Sequence, residues 1–412
     1  MVLNYIWVGL ILVGFLVAAI TFVCTGDYTL FNDISDSLFT NAGTGFTIAL
    51  GLTGILTLWS GILKVGEKGG TISIFSKLIS PVMSKLFPEV PKDNPAMGKM
   101  MMNFSANMLG LDNAATPLGL SAMEELQKIN PDKKKASNAE IMFLVLNTSG
   151  LTIVPMSVIA IRAQMGVASP ANVFVPILLA TLCSTVAGVI LTAVIQKIKL
   201  FRIQFLIFAA ILFSAVYALM WWLFSLPSNE MGDASKAVGA IIIIGIIALF
   251  LGVALSKRIN IFDTFIEGAK DGFKTSVKII PYLVAMLVAI GIFRASGAML
   301  YVEQAMAYLI GLCGVNTDFI PALPTALMKP LSGSGARGLM VETMNNYGVN
   351  SFPAFVASCV QGATDTTLYI VALYFGSVGI RNTRYAVTCG LFADFVGVIA
   401  AIIFSYMFFV AA

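Results

Sequence analysis

At 4–24 the sequence reads NYIWVGLILVGFLVAAITFVC, and at 203–226 it reads IQFLIFAAILFSAVYALMWWLFSL. Neither run carries a charge. An unbroken stretch of roughly 20 apolar residues is long enough to cross hydrocarbon as a helix. In that solvent every peptide group must find its partner within the protein, so helices and closed barrels are the spanning forms. Continuous apolar runs, rather than short alternating ones, select helices. Comparable runs lie at about 44–64, 138–161, 171–196, 236–256, 277–296, 352–379 and 384–410, giving about nine spans. Only 11% of the residues are charged, against about 25% in ordinary soluble domains. The fold class is therefore an all-α polytopic membrane protein.

The stretch 321–342, PALPTALMKPLSGSGARGLMVE, breaks this pattern. Pro321, Pro324 and Pro330 each lack a backbone donor. Gly333, Gly335 and Gly338 alternate with Ser332, Ser334 and Arg337, and Lys329 stands just before them. Broken backbone at membrane depth survives only where protein or a water-filled cavity covers it. The stretch is expected to form a re-entrant helical hairpin over 318–345. Helix N-termini at its tip would offer free N–H groups to an anion or dipole. A second hairpin is expected over 95–127, with Asn113, Thr116 and Gly119 near its tip.

The two stretches echo one another. Gly338 and Glu342 follow Gly119 and Glu124 at offsets of 219 and 218 residues. Each hairpin precedes an apolar span interrupted by small polar residues: Asn147, Thr148, Ser149 and Gly150 in one, 361–367 (QGATDTT) in the other. Paired interrupted segments in two halves point to a transporter binding site. The expected domains are repeats at 1–200 and 231–412, joined by a helix within 201–230 that inverts the second half. Amphipathic pieces at 31–39, 72–87, 262–274 and 299–312 are expected to lie flat at the interface.

Charge suggests the orientation. With a cytoplasmic N-terminus and two re-entrant hairpins, 20 of the 25 lysines and arginines fall inside. The first hairpin then enters from the cytoplasm, the second from outside, and the C-terminus lies outside. The expected location is the bacterial cytoplasmic membrane, with the lipid bilayer as a partner. Residues 1–25 lack Lys and Arg and so do not resemble a cleaved signal. The chain has no histidine, which excludes His-based triads, haem and most zinc sites. Its five cysteines lack paired spacing, and no metal site or other cofactor is expected. No basic run with interleaved aromatics appears, so no nucleic-acid partner is expected. No ATPase motif appears either, so transport would be ion-driven or passive.

Polar groups inside a bilayer are costly and normally face a pore, a partner or the protein interior. The candidate solute-binding residues are Asn107, Asn113, Thr116, Glu124, Ser332, Ser334, Arg337, Glu342, Gln361, Asp365 and Thr366. Asn147, Thr148 and Ser149 form a neutral oxygen set suited to Na⁺, and Asp365 is the alternative coupling site through H⁺. The same residue types also serve as hydrogen-bonding links between helices.

Several motifs resemble known families. NAATPLGLSAMEELQ at 113–127 is similar to spore maturation protein A. KPLSGSGARG at 329–338, QGATDTTLY at 361–369 and YFGSVGI at 374–380 are similar to spore maturation protein B. The resemblance covers nearly the whole chain and implies a fusion of the two. It places the chain in the nucleoside-recognition, or gate-domain, group that includes concentrative nucleoside transporters. The implied fold has two hairpins, two unwound helices and a scaffold, but the substrate does not carry over. The leading expectation is an ion-coupled secondary transporter of a small polar or anionic solute, and not an enzyme. The alternatives are a non-transporting scaffold of the spore maturation type, and an intramembrane enzyme with Ser332 or Ser334 as nucleophile and Lys329 as base. Self-association into a homo-oligomer is compatible with each.

Overall fold

The computed structural model describes residues 2–409 apart from 92, 110–111, 154, 199–202, 227 and 313. It is all-helical. Helix α1 (Val2–Thr25) is followed by α2 (Thr29–Gly69), α3 (Thr71–Leu86), α4 (Pro95–Met108), α5 (Asp112–Ile129), α6 (Asn138–Thr148), α7 (Met156–Gln164) and α8 (Phe174–Ile195). Next come α9 (Ile203–Phe224), α10 (Ser228–Ser256), α11 (Ile261–Ala295) and α12 (Ala298–Gly311). The chain ends with α13 (Leu323–Met328), α14 (Gly333–Tyr347), α15 (Phe352–Ala363), α16 (Thr367–Ser377) and α17 (Ala386–Phe408). Among the described residues six helices are long and apolar enough to cross a membrane: α1, α2, α8 with the turn before it, α10, α11 and α17. This is a polytopic membrane protein. The three further expected spans do not appear among the six. Two are broken, into α6–α7 and α15–α16, and half of the side chains of α9 lie outside the described residues.

Two of the expected amphipathic pieces are not separate. Residues 31–39 belong to α2, which runs unbroken for 41 residues, and 262–274 belong to the 35-residue α11. No proline or glycine pair interrupts these joins, so the helices continue. Gly45, Gly61, Gly268 and Gly272 let the two long helices approach closely. A Cβ on Gly45 would lie 3.0 Å from the Val284 Cα. The pieces at α3 and α12 are separate helices, each following a glycine with positive φ, Gly70 and Gly297.

Both hairpins are present. Lys99 at the start of the first pairs with Glu125 at its end, N–O 2.8 Å. The Thr343 hydroxyl at the end of the second donates to the Pro321 carbonyl at its start, 3.3 Å. Each hairpin therefore enters and leaves at one end of the molecule. The two ends differ. The amide of Asn138 donates to Glu89 (2.6 Å) and the Arg381 N–H to the Lys134 carbonyl (3.0 Å), which gathers the loops near 89, 134, 138 and 381. Helix α17 leads away from this end: the Tyr385 hydroxyl just before it donates to Asn138 (2.9 Å), and Tyr406 near its last turn packs on Phe352, beside which the Ala168 N–H donates to the Asn350 side chain at 3.1 Å. The α6–α7 segment thus runs from the first end to the second, and α15–α16 runs back.

Candidate functional site

The two broken helices meet at their breaks. The Asp365 N–H donates to the Thr148 carbonyl at 2.9 Å. Both groups are free to do so because helix ends leave N–H and C=O groups without intrahelical partners. Gly150 has φ +61°, and a Cβ there would lie 3.0 Å from the Asp365 nitrogen. Only glycine fits this turn at so close an approach.

Each hairpin is tied to the break that follows it. The Met108 carbonyl, ending the first arm of one hairpin, accepts from the Ile153 N–H at 2.8 Å. The Pro330 carbonyl, ending the first arm of the other, accepts from the Leu368 N–H at 3.0 Å. Tips and breaks are thus held together by backbone bonds that do not depend on side-chain identity.

A cavity of about 910 Å³ opens at this junction. Its lining includes Asn107, Thr116, Asn147, Gly150, Thr152, Lys329, Arg337, Gln361, Thr364, Asp365 and Tyr374, with Trp59, Glu67 and Asp271 from α2 and α11. That volume lies in the range of small-molecule sites, roughly 300–1,000 Å³. Asp365 is exposed into it, and its own Oδ1 accepts from the Thr366 N–H at 2.7 Å. Arg337 is half-buried and makes no hydrogen bond or ion pair among the described residues; its Nε is buried and unpartnered. Gln361 Nε2 donates weakly to the Gly333 carbonyl at 3.4 Å, leaving Oε1 buried and unpartnered. One wall is a closed polar network. Asn147 Oδ1 accepts from Asn107 Nδ2 (2.7 Å) and from the Tyr374 hydroxyl (3.2 Å), while its Nδ2 donates to the Phe143 carbonyl (2.8 Å).

A family model described as nucleoside recognition (Gate) matches residues 49–165. Spore maturation protein A of Bacillus subtilis (strain 168) is 42% identical over 188 residues, 46% of this chain and 92% of that protein. Spore maturation protein B of the same strain is 40% identical over 167 residues, 40% of this chain and 92% of that protein. The chain belongs to the spore maturation protein family. No solved structure matches it. The gate match ends one residue past α7 and so takes in the first hairpin and the first break of this family member.

Of the residues expected to bind solute, Asn107, Thr116, Arg337, Gln361 and Asp365 line the cavity. The Asn113 side chain lies outside the described residues. Others go elsewhere. Glu124 is exposed on α5 and does not line the cavity. Ser332 caps α14, its Oγ accepting from the Gly335 N–H at 3.0 Å, and lies 3.2 Å from the Ser334 Oγ. Thr366 is buried and stands just before α16. Glu342 is buried against Arg294, which pairs with it through Nε and Nη2, and accepts from Asn346 Nδ2 at 2.7 Å. Arg294 also reaches Glu303 at 3.1 Å, so Glu342 belongs to an ion cluster on α11, α12 and α14. Of the ion-coupling set, Asn147 lines the cavity, but both lone pairs of its Oδ1 are taken. The Thr148 and Ser149 hydroxyls donate to the Val145 and Leu146 carbonyls of their own helix.

Sequence reasoning missed Tyr374 as a wall residue, although it opens the YFGSVGI motif. The signal was Gly119, where a Cβ would run into the Tyr374 hydroxyl. It also missed Asp271, because 262–274 reads as an interfacial piece when the continuity of α11 is not known, and Glu67, which falls past the end of the span expected at 44–64.

Proposed function

We propose that the protein is an ion-coupled secondary transporter of a small polar or anionic solute, which binds in the cavity between two hairpin tips and two helix breaks. The observation that carries the proposal is the hydrogen bond between Asp365 and Thr148, which brings the two breaks together at the cavity. Discontinuous helices with free backbone groups and a polar chamber are the binding architecture of many carriers. Arg337, with no partner of its own among the described residues, supplies a cation for an anionic group, and a guanidinium is well shaped for carboxylate or phosphate.

An inverted duplication accounts for the arrangement. The long helix α2 lies along α11, and α8 packs along α17. The two hairpins open at opposite ends, and each is tied to its following break by one backbone bond. Helix α9 supplies the odd crossing that inverts the second half. A gradient of Na⁺ or H⁺ drives the cycle. The second reading is a non-transporting membrane scaffold. It draws on the relatives, both named for spore maturation and neither for transport.

A thermal-shift screen of the purified protein separates the two. Nucleosides, amino acids, short peptides and carboxylates are tested with and without Na⁺. Stabilisation by one class, lost in Arg337→Gln, supports the carrier. A flat response across the panel supports the scaffold.

A further inference from the structure

Behind the cavity, α17 carries a buried carboxyl group, Asp394, flanked by two threonines. Asp394 is 2% exposed. Both its carboxylate oxygens are buried with no hydrogen-bond partner, and no ion pair involves it among the described residues. Thr364 and Thr367, on either side of the second break, stand beside it, near enough for their hydroxyls to interact with the carboxyl group, although neither makes a hydrogen bond of good geometry to it. Their Oγ1 atoms are likewise buried and unpartnered. The packing of α17 fixes this grouping. A Cβ on Gly390, one turn before Asp394, would lie 2.7 Å from Thr367 Cγ2, and a Cβ on Gly397, one turn after, 2.6 Å from Thr364 Cγ2. The two glycines therefore let both threonines press onto α17 next to the carboxylate.

Buried polar groups normally have partners, and an isolated buried charge is the costliest exception. We propose that Asp394, Thr364 and Thr367 bind a sodium ion. All the donors are oxygen, which selects a hard cation. One carboxylate balances one charge, and no cluster of three or more His, Cys, Asp or Glu that could serve a divalent metal occurs among the described residues. Helix α15 ends at Ala363, so its last carbonyls lack intrahelical partners and form the negative end of its dipole. Thr364 also lines the cavity, which gives the ion a route from the solute chamber. The Lys329 ammonium acts on Asp394 electrostatically without bonding to it, and so competes with the ion. The Asn147 set is less suited, because its amide oxygen already accepts two hydrogen bonds.

The role of this ion in coupling rests on the transport reading, but its binding is measurable without a solute. The intact chain is melted in detergent in NaCl and in choline chloride at equal ionic strength. Sodium is expected to raise the melting temperature progressively with concentration, since a ligand of the native state stabilises it. The shift is expected to vanish in Asp394→Asn and in Thr367→Val. The second variant keeps the carboxylate and the side-chain shape, so it reports on the site even where Asp394→Asn folds poorly. An absent sodium shift in the wild type, or an undiminished one in Thr367→Val and Asp394→Asn, overturns the site. A sodium shift without uptake of any solute would count against transport and leave the ion site standing.

Discussion

The Asp365 N–H and the Thr148 carbonyl, 217 residues apart in the chain, form a 2.9 Å hydrogen bond at the point where two helices lose their regularity. A break in a buried helix normally strands backbone groups. Here one break satisfies part of the other, and Gly150 makes the approach sterically possible.

Gly150→Ala is therefore expected to destabilise the protein. The left-handed backbone alone costs a side-chain-bearing residue roughly 1–2 kcal/mol, and the added Cβ presses on the Asp365 amide. Thermal melting of the purified variant checks this. Unchanged melting would mean that the breaks do not need to touch.

Glu342→Ala tests the charge cluster. Removing one partner of a buried ion pair typically costs about 3–5 kcal/mol, and Arg294 would keep only Glu303 and Tyr347. Chemical denaturation in detergent should show that loss, and replacing Arg294 and Glu342 together by apolar residues should recover much of it. A stable Glu342→Ala protein with impaired solute binding would return Glu342 to the binding site.

Gly335 is expected to matter for packing. It lies inside α14, where a Cβ would be 3.0 Å from Met328 Cγ and 3.1 Å from Met286 Cε. Gly335→Ala should be mild, because methionine side chains yield. Gly335→Leu should destabilise the second hairpin, with a clear drop in melting temperature. Full stability together with lost solute binding would place Gly335 at a ligand instead.

The hairpins and breaks were legible in the sequence because proline, glycine and serine clustered inside apolar runs interrupt a helix that would otherwise continue. The fate of individual polar residues was not legible. Glu342 sits in register with Glu124, yet one is buried on Arg294 and the other is exposed. Arg294 lies 48 residues from Glu342 in sequence, on a helix whose register depends on tertiary packing. The continuity of α2 and α11 was hidden for a similar reason. Their amphipathic ends resemble surface helices until the partner helix is known.

Sidedness is open to direct test. The loops near 89, 134, 138 and 381 share one end of the molecule. Single cysteines at Lys134 and Arg381, on a background lacking native cysteines, should label from the same face of the membrane. An added cysteine at Asn350 should label from the opposite face. Labelling of Lys134→Cys and Arg381→Cys from different faces would contradict this packing.

The most direct test of the central claim is uptake by the purified protein in sealed liposomes, with nucleosides, amino acids, peptides and carboxylates under separate Na⁺ and H⁺ gradients. Accumulation of at least one solute class under one gradient is predicted, with loss in Arg337→Gln and in Asp365→Asn while both variants remain folded. Uptake that both folded variants support at the wild-type rate would contradict a binding site at the junction of the two breaks.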